Sequence, residues 1–172
     1  MKNNNTYRVY EAPSDVLSQK AVPVPLDMIV DSHLTQTVAS TMVNTLKLNY
    51  PGAVGLSSIQ CDQLDDIIVC KLGNEYVVMI NAEIVGFSNE KQKSHEGCLS
   101  TGKFRGDVER FWECSVEYYD IGGNLQSRTL NGFDATVVQH EIDHQNGILF
   151  PTLMNSKNKL KQKKKLSKMG IK

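Results

Sequence analysis

The string His140-Glu141-Ile142-Asp143-His144 sets two imidazoles four residues apart with a carboxylate beside the first. At 3.6 residues per helical turn the two histidines share one face, so both rings can reach a single ion. Glu141 then stands next to the open coordination position. The chemistry this spacing serves is metal-assisted hydrolysis, in which the ion makes water acidic enough to attack near neutral pH. Two histidines meeting by chance on a helix surface is the competing account. A site of this kind takes three protein ligands, and no His, Asp, Glu or Cys follows His144, so the third must lie upstream. His33, His95, Cys98 and the earlier carboxylates are candidates. A Cys98 thiolate is the strongest single ligand among them for a borderline or softer ion.

The elements that position these residues are readable in outline. Pro13, Pro23 and Pro25 break residues 1 to 30 into an irregular, extended arm. A helix follows, capped by Asp31 or Ser32, with Leu34, Val38, Met42 and Leu46 as its apolar stripe and an end before Pro51-Gly52. Two hairpins are predicted. Ile67-Ile68-Val69-Cys70 and Tyr76-Val77-Val78-Met79-Ile80 flank Leu72-Gly73-Asn74, and Cys114 to Asp120 and Leu125 to Leu130 flank Ile121-Gly122-Gly123-Asn124. A second helix runs from Phe133 to about Asn146, capped by Asn131 or Asp134, with Ala135, Val138 and Ile142 packed and Gly147 at its stop. This segregated order implies an α+β fold with antiparallel sheets around a central helix, not a doubly wound α/β sheet.

Composition sets the frame. The chain has 172 residues, 40% of them hydrophobic and 22% charged, which suits one soluble domain with a core of its own. No apolar run approaches the ~18 residues of a membrane span, and Met1 to Tyr10 carries no signal-peptide core, so a cytoplasmic location is expected. Cys61, Cys70, Cys98 and Cys114 form no CxxC pair and read as thiols in a reducing compartment. Cys70 and Cys114 fit strand interiors, whereas Cys98 lies in the polar string Glu96-Gly97-Cys98-Leu99-Ser100. Charge is split along the chain. Lys157, Lys159, Lys161, Lys163, Lys164, Lys165, Lys168 and Lys172 are eight of the 19 basic residues, which leaves 11 against 19 acidic ones over residues 1 to 156, a body of −8 carrying a tail of +8. The expected organisation is therefore a single catalytic domain over 1–156 and a lysine-rich tail or helix over 157–172. Such a tail suits polyanions, nucleic acid above all, and a merely solubilising helix is the plainer account of it.

Three segments together, Gly55-Leu56-Ser57-Ser58-Ile59-Gln60, Glu96-Gly97-Cys98-Leu99-Ser100 and Gln139-His140-Glu141-Ile142-Asp143-His144, resemble the signature motifs of peptide deformylases in the family's order. The resemblance runs from the first helix to about Phe150. It implies an α+β fold with the HExxH helix cradled by antiparallel strands, and removal of the formyl group from the N-terminal formylmethionine of new chains. By the resemblance Cys98, His140 and His144 are the metal ligands and Glu141 is the general base and acid, taking a proton from the attacking water and passing it to the leaving amine. The Gln60 side-chain amide and the Leu99 backbone N–H are implied to stabilise the oxyanion. Gly55 and Gly97 are placed against the substrate, while Val54, Thr136 and Val137 are implied to line the methionine pocket. Asp143 points away from the histidine face and reads as a structural residue and not a ligand, while the resemblance implies that Arg105 and Arg110 organise the loops of the site.

The resemblance also implies Fe²⁺ as the native ion, with Zn²⁺, Ni²⁺ or Co²⁺ acceptable to the same ligands. Ala53, Ser57 and Ser58 depart from the usual first motif, and Thr101-Gly102 departs from the residues that usually follow the second, so a looser loop is expected there. Two rival readings share these residues: a related metal hydrolase of altered specificity, such as an aminopeptidase or deacylase, and a ribosome-binding protein with a dormant site. Retention of Gln60, Cys98, His140, Glu141 and His144 together argues against dormancy.

Overall fold

In the computed structural model, which describes residues 5–31 and 33–171, seven strands and five α-helices follow the N-terminal arm. A five-stranded antiparallel sheet has the order β1-β2-β3-β6-β7, formed by β1 (Gly55–Ser57), β2 (Ile67–Leu72), β3 (Glu75–Phe87), β6 (Glu113–Tyr119) and β7 (Leu125–Asn131). A separate pair joins β4 (Lys91–Gly97) to β5 (Arg105–Phe111). Both predicted hairpins form, with Leu72 opposite Glu75 and Tyr119 opposite Leu125 at their turns. The β4–β5 pair has no counterpart in the sequence reading. Lys91, Lys93 and His95 of β4 and Arg105, Asp107 and Glu109 of β5 share one side, while the other mixes Gln92, Ser94, Glu96 and Arg110 with Val108, so no apolar repeat marks the pair.

The arm is less irregular than expected. α1 (Leu26–Asp31) starts directly after Pro25, where a proline's missing N–H costs nothing, and α2 (His33–Asn49) follows it. The predicted cap at Ser32 lies outside the described residues, as does the side chain of Asp31. Within α2, Val38, Met42 and Leu46 are buried as predicted, but Leu34 is 60% exposed. Thr35, Thr41 and Thr45 are buried in its company, and the Thr45 hydroxyl is satisfied by donating to Thr41 O at 2.7 Å and accepting from Tyr7 N at 2.8 Å. The stripe therefore begins one turn later than an apolar count suggests.

β2 is buried on both faces, which is why its sequence is a continuous apolar run without alternation. Ile67 and Val69 join the cluster under α2, whereas Ile68, Cys70 and Leu72 join Val137 and Val138 of α3 (Gly132–Gln145). α3 also packs on β1, β5, β6 and β7. Asn131 precedes it without capping it through its side chain, and Gly147 at φ +71° ends it, a conformation that favours glycine. A Cβ on Gly147 would come within 2.7 Å of Ser18 O, so the arm lies hard against this turn.

Beyond the site, α4 (Ser156–Lys161) and α5 (Lys163–Lys168) fold back on the body. Leu166 is 3% exposed and packs with Phe104, Val108, Phe150 and Met154 in the cluster that also contains Cys98, while Leu160 faces solvent. No helix among the described residues is long and apolar enough to cross a membrane.

One half-buried acid sits unfavourably in this arrangement. Asp66, just ahead of β2, has Oδ1 buried without a hydrogen-bond partner, and burial raises its pKa to about 6. The unfolded value near 4 is lower, so folding takes up a proton between these limits and stability falls as pH rises from about 4 through about 6. Replacement by the neutral isostere, Asp66→Asn, is therefore expected to raise the thermal midpoint at pH 7.5 by several degrees and to change it little at pH 4, as read by calorimetry at the two pH values.

Candidate active site

The three predicted donors come from two elements that are far apart in sequence. His140 and His144 lie one turn apart on α3, with ring centroids 5.0 Å apart in an edge-on arrangement. Cys98 follows β4 directly, caps the 3₁₀ turn Leu99–Thr101 and presents Sγ 3.1 Å from His144 Nε2. Donor atoms of Cys98, His140 and His144 all lie within 4.8 Å of one another, and all three residues are buried. The other upstream candidates do not join them. His33 is exposed on α2, and His95, though it borders the cavity of the site, is exposed and turned to Asp107, with Nδ1 2.6 Å from Oδ1. Among the described residues Cys98 is the upstream donor that meets both histidines.

A thiolate sulfur and two imidazole nitrogens are a fitting donor set for a borderline divalent ion. The surroundings prepare them for that role. His140 Nδ1 lies 2.8 Å from Glu96 Oε2, which fixes the ring and directs Nε2 inward. Arg110 holds Glu96 in turn, with Nε donating at 2.8 Å and Nη2 at 3.0 Å, and its Nη1 donates to Asp143 Oδ2 at 2.5 Å. Burial alone would raise the Glu96 carboxyl, but hydrogen bonds from His140 and Arg110 and the Arg110 charge hold it down at about 2. Sequence reasoning gave Glu96 no role, although it sits in the second motif. It alternates with Gln92 and Ser94 along β4, and a period of two is the signal that would have aimed it at α3.

Glu141 projects from α3 against β1. A Cβ on Gly55 would lie 2.1 Å from Glu141 Oε1, so the glycine exists in this position because the carboxylate occupies the space of a side chain. Burial raises the Glu141 carboxyl to about 7, partly offset by the neighbouring His140 charge, and its Oε2 has no protein partner. Gln60 arrives from the 3₁₀ turn Ser58–Cys61. Its Oε1 accepts from Ser57 N at 2.9 Å, which turns Nε2 toward Ser100 Oγ at 2.9 Å and Cys98 Sγ at 3.4 Å. Leu99 opens its own 3₁₀ turn, so its N–H precedes the first intrahelical bond.

These groups lie along one cavity of about 590 Å³. Gln60, Cys98, Leu99, His140 and Glu141 line it together with Val54, Gly55, Gly97, Thr136 and Val137, every one of the site residues predicted except His144, which is buried behind the others. Arg105 lies over Gly97, where a Cβ would come within 2.2 Å of the guanidinium carbon, and its Nη1 is tied to Gly102 O at 3.1 Å and Phe104 O at 2.8 Å. The arrangement suits metal-assisted hydrolysis of an amide, with three donors able to hold an ion, a buried carboxylate and the Gln60 amide converging at one end of the cavity.

A family profile of polypeptide deformylases matches residues 6–160. The chain belongs to that family. It is 35% identical over 167 residues to a peptide deformylase-like protein of Rickettsia conorii, covering 95% of this chain and 86% of that protein. It is also 35% identical over 162 residues to a peptide deformylase of Desulfotalea psychrophila, covering 91% and 92% respectively. The solved structure of a class I type b peptide deformylase from Acinetobacter baumannii with Met-Ala-Ser bound superposes with a TM-score of 0.81 at 31% identity, over 88% of this chain and 99% of that one. This protein is accordingly an enzyme of the same kind, a hydrolase that removes N-formyl groups.

The motif departures of this deformylase have local explanations. Ala53 is not among the residues at positive φ, so opening the first motif without glycine causes no strain. Gly102 does take positive φ, at +56°, a conformation that favours glycine. The expected loosening of this loop is not what the contacts give: besides the Arg105 tether, the Thr101 hydroxyl donates to Cys98 O at 3.1 Å, and Thr101 is buried.

Proposed function

We propose that Cys98, His140 and His144 hold one divalent metal ion, and that α3 is the helix around which catalysis is organised. The substrate is the N-terminal formylmethionine of newly made proteins, as the Met-Ala-Ser bound to the Acinetobacter baumannii relative suggests. Convergence of three buried donors with Glu141 and Gln60 at the end of one cavity is the observation that carries this reading. When bound, the ion supplies the Lewis acidity that makes water a nucleophile near neutral pH. Glu141 takes the proton of the attacking water and returns it to the departing amine, for which its buried, partnerless oxygen is suited. Gln60 Nε2 and the Leu99 N–H donate to the formyl oxygen as it gains negative charge, each contributing about 10²–10³-fold in rate. Gly55 and Gly97 let the peptide backbone lie close to β1 and β4, and Val54, Thr136 and Val137 line the pocket for the methionine side chain.

A metal hydrolase of altered specificity would use the same residues, so substrate preference decides between them. Formyl-Met-Ala-Ser is expected to be turned over in strong preference to acetyl-Met-Ala-Ser and to unblocked Met-Ala-Ser, with Glu141→Ala losing about 10²–10⁴-fold in kcat. Preference for the acetylated or free peptide would defeat the assignment.

Fe²⁺ is the proposed native ion; Zn²⁺, Ni²⁺ and Co²⁺ fit the same donors. The enzyme works in the cytoplasm, where nascent chains emerge. Residues 1–156 form the catalytic domain, and the lysine-rich segment 157–172 contacts ribosomal RNA. Lys157, Lys161, Lys163, Lys164, Lys165 and Lys168 are all exposed, which supports that contact. Because Leu166 is buried next to Phe104 and Phe150, removing the segment would disturb the cluster behind Cys98. The cleaner change replaces those six lysines by glutamine. Ribosome affinity should weaken, with a shallower salt dependence, while formyl-tripeptide turnover stays at the parent level; an unaltered salt dependence would refute the contact.

A further inference from the structure

The wall of the cavity formed by β4 and α3 is more polar than a thioether side chain requires. Gln92, Ser94 and Glu96 point to one side of β4. Two of them reach α3: Gln92 Nε2 donates to Gly132 O at 2.8 Å and to Thr136 Oγ1 at 3.2 Å, and Glu96 meets His140. Ser94 therefore faces α3 between those contacts, and both Ser94 and Thr136 line the cavity. With Gln92 donating to the Thr136 oxygen, the Thr136 hydroxyl hydrogen is left to be donated. Neither that hydrogen nor the Ser94 hydroxyl has a partner among the described residues.

A thioether sulfur is a weak acceptor and makes poor use of two O–H donors. The form of the same side chain that can use them is the sulfoxide, which keeps the chain length and adds one strongly accepting oxygen. We propose that this deformylase also accepts N-formyl peptides whose first residue is methionine sulfoxide, with Thr136 and Ser94 donating to the sulfoxide oxygen. The reaction is the same hydrolysis. Water adds across the formyl C–N bond, formate and the free amine result, and the sulfur keeps its oxidation state. The inference rests on the reading of the β4–α3 wall as part of the methionine pocket.

The test compares kcat/KM for formyl-Met-Ala-Ser and its methionine-sulfoxide counterpart in the parent enzyme, Thr136→Val and Ser94→Ala, with the ratio of the two as readout. An apolar pocket leaves the sulfoxide oxygen unpaired, at a cost of roughly 10- to 100-fold or more. Here the parent is expected to favour the thioether by no more than about fivefold, and each variant to widen that preference by about tenfold. A parent preference beyond about fivefold would overturn the proposal, and so would variants that leave the ratio where it was. Either variant suffices if the other fails to fold. Absence of turnover of formyl-Met-Ala-Ser itself would instead remove the functional reading on which the inference stands.

Discussion

The site depends on a polar seam between the β4–β5 pair and α3. Cys98 follows directly on the first and both histidines belong to the second, so the donor atoms meet only while that seam holds. Its centre is Arg110, which is 5% exposed and binds Glu96 and Asp143 at once. Gln139 closes one flank by accepting from Phe111 N at 3.1 Å and donating to Phe111 O at 2.9 Å, and Gln92 closes another. A buried ion pair of this kind adds little net stability over an apolar contact, but losing one partner strands a charge. Geometry is what the seam supplies: it fixes the His140 ring through Glu96 and sets β4 at the height of the histidines.

The same constraint explains why α3 looks unremarkable as an amphipathic helix. Its buried positions include Thr136, Gln139, His140, Glu141, His144 and Gln145, so polar side chains face protein on most sides. Gln139 and His140 are buried with hydrogen-bond partners, whereas Glu141 Oε2, His144 Nδ1 and Gln145 Oε1 are buried without one. Gln145 Nε2 donates to Ile67 O at 2.8 Å and ties the last turn to β2. Val137 and Val138 provide the apolar contact that a surface helix would draw from a full stripe.

Much of this was legible in the residues. Turn chemistry at Gly73-Asn74 and Gly122-Gly123 located both hairpins, and the spacing of His140 and His144 anticipated two rings one turn apart on α3. Cys98 could be selected from the upstream donors because its setting was polar and glycine-bearing. The β4–β5 pair escaped notice because its order comes from Gln92, Glu96 and Arg110 reaching a helix more than 20 residues away in sequence, and local periodicity carries no trace of that. Leu34 was misplaced because threonines with internal hydroxyl partners took the buried positions that an apolar count gives to leucine. In the C-terminal segment, one buried leucine among many lysines was enough to dock a helix that charge alone would leave in solvent.

The central claim is that one thiolate and two imidazoles bind a single catalytic ion. Replacing that ion by Co²⁺ makes the ligands visible in the absorption spectrum. The account predicts one Co²⁺ per chain, a near-ultraviolet thiolate-to-cobalt charge-transfer band and visible bands of tetrahedral intensity, with the charge-transfer band lost in Cys98→Ser. A weak octahedral spectrum without that band, or a band that persists in Cys98→Ser, would contradict it.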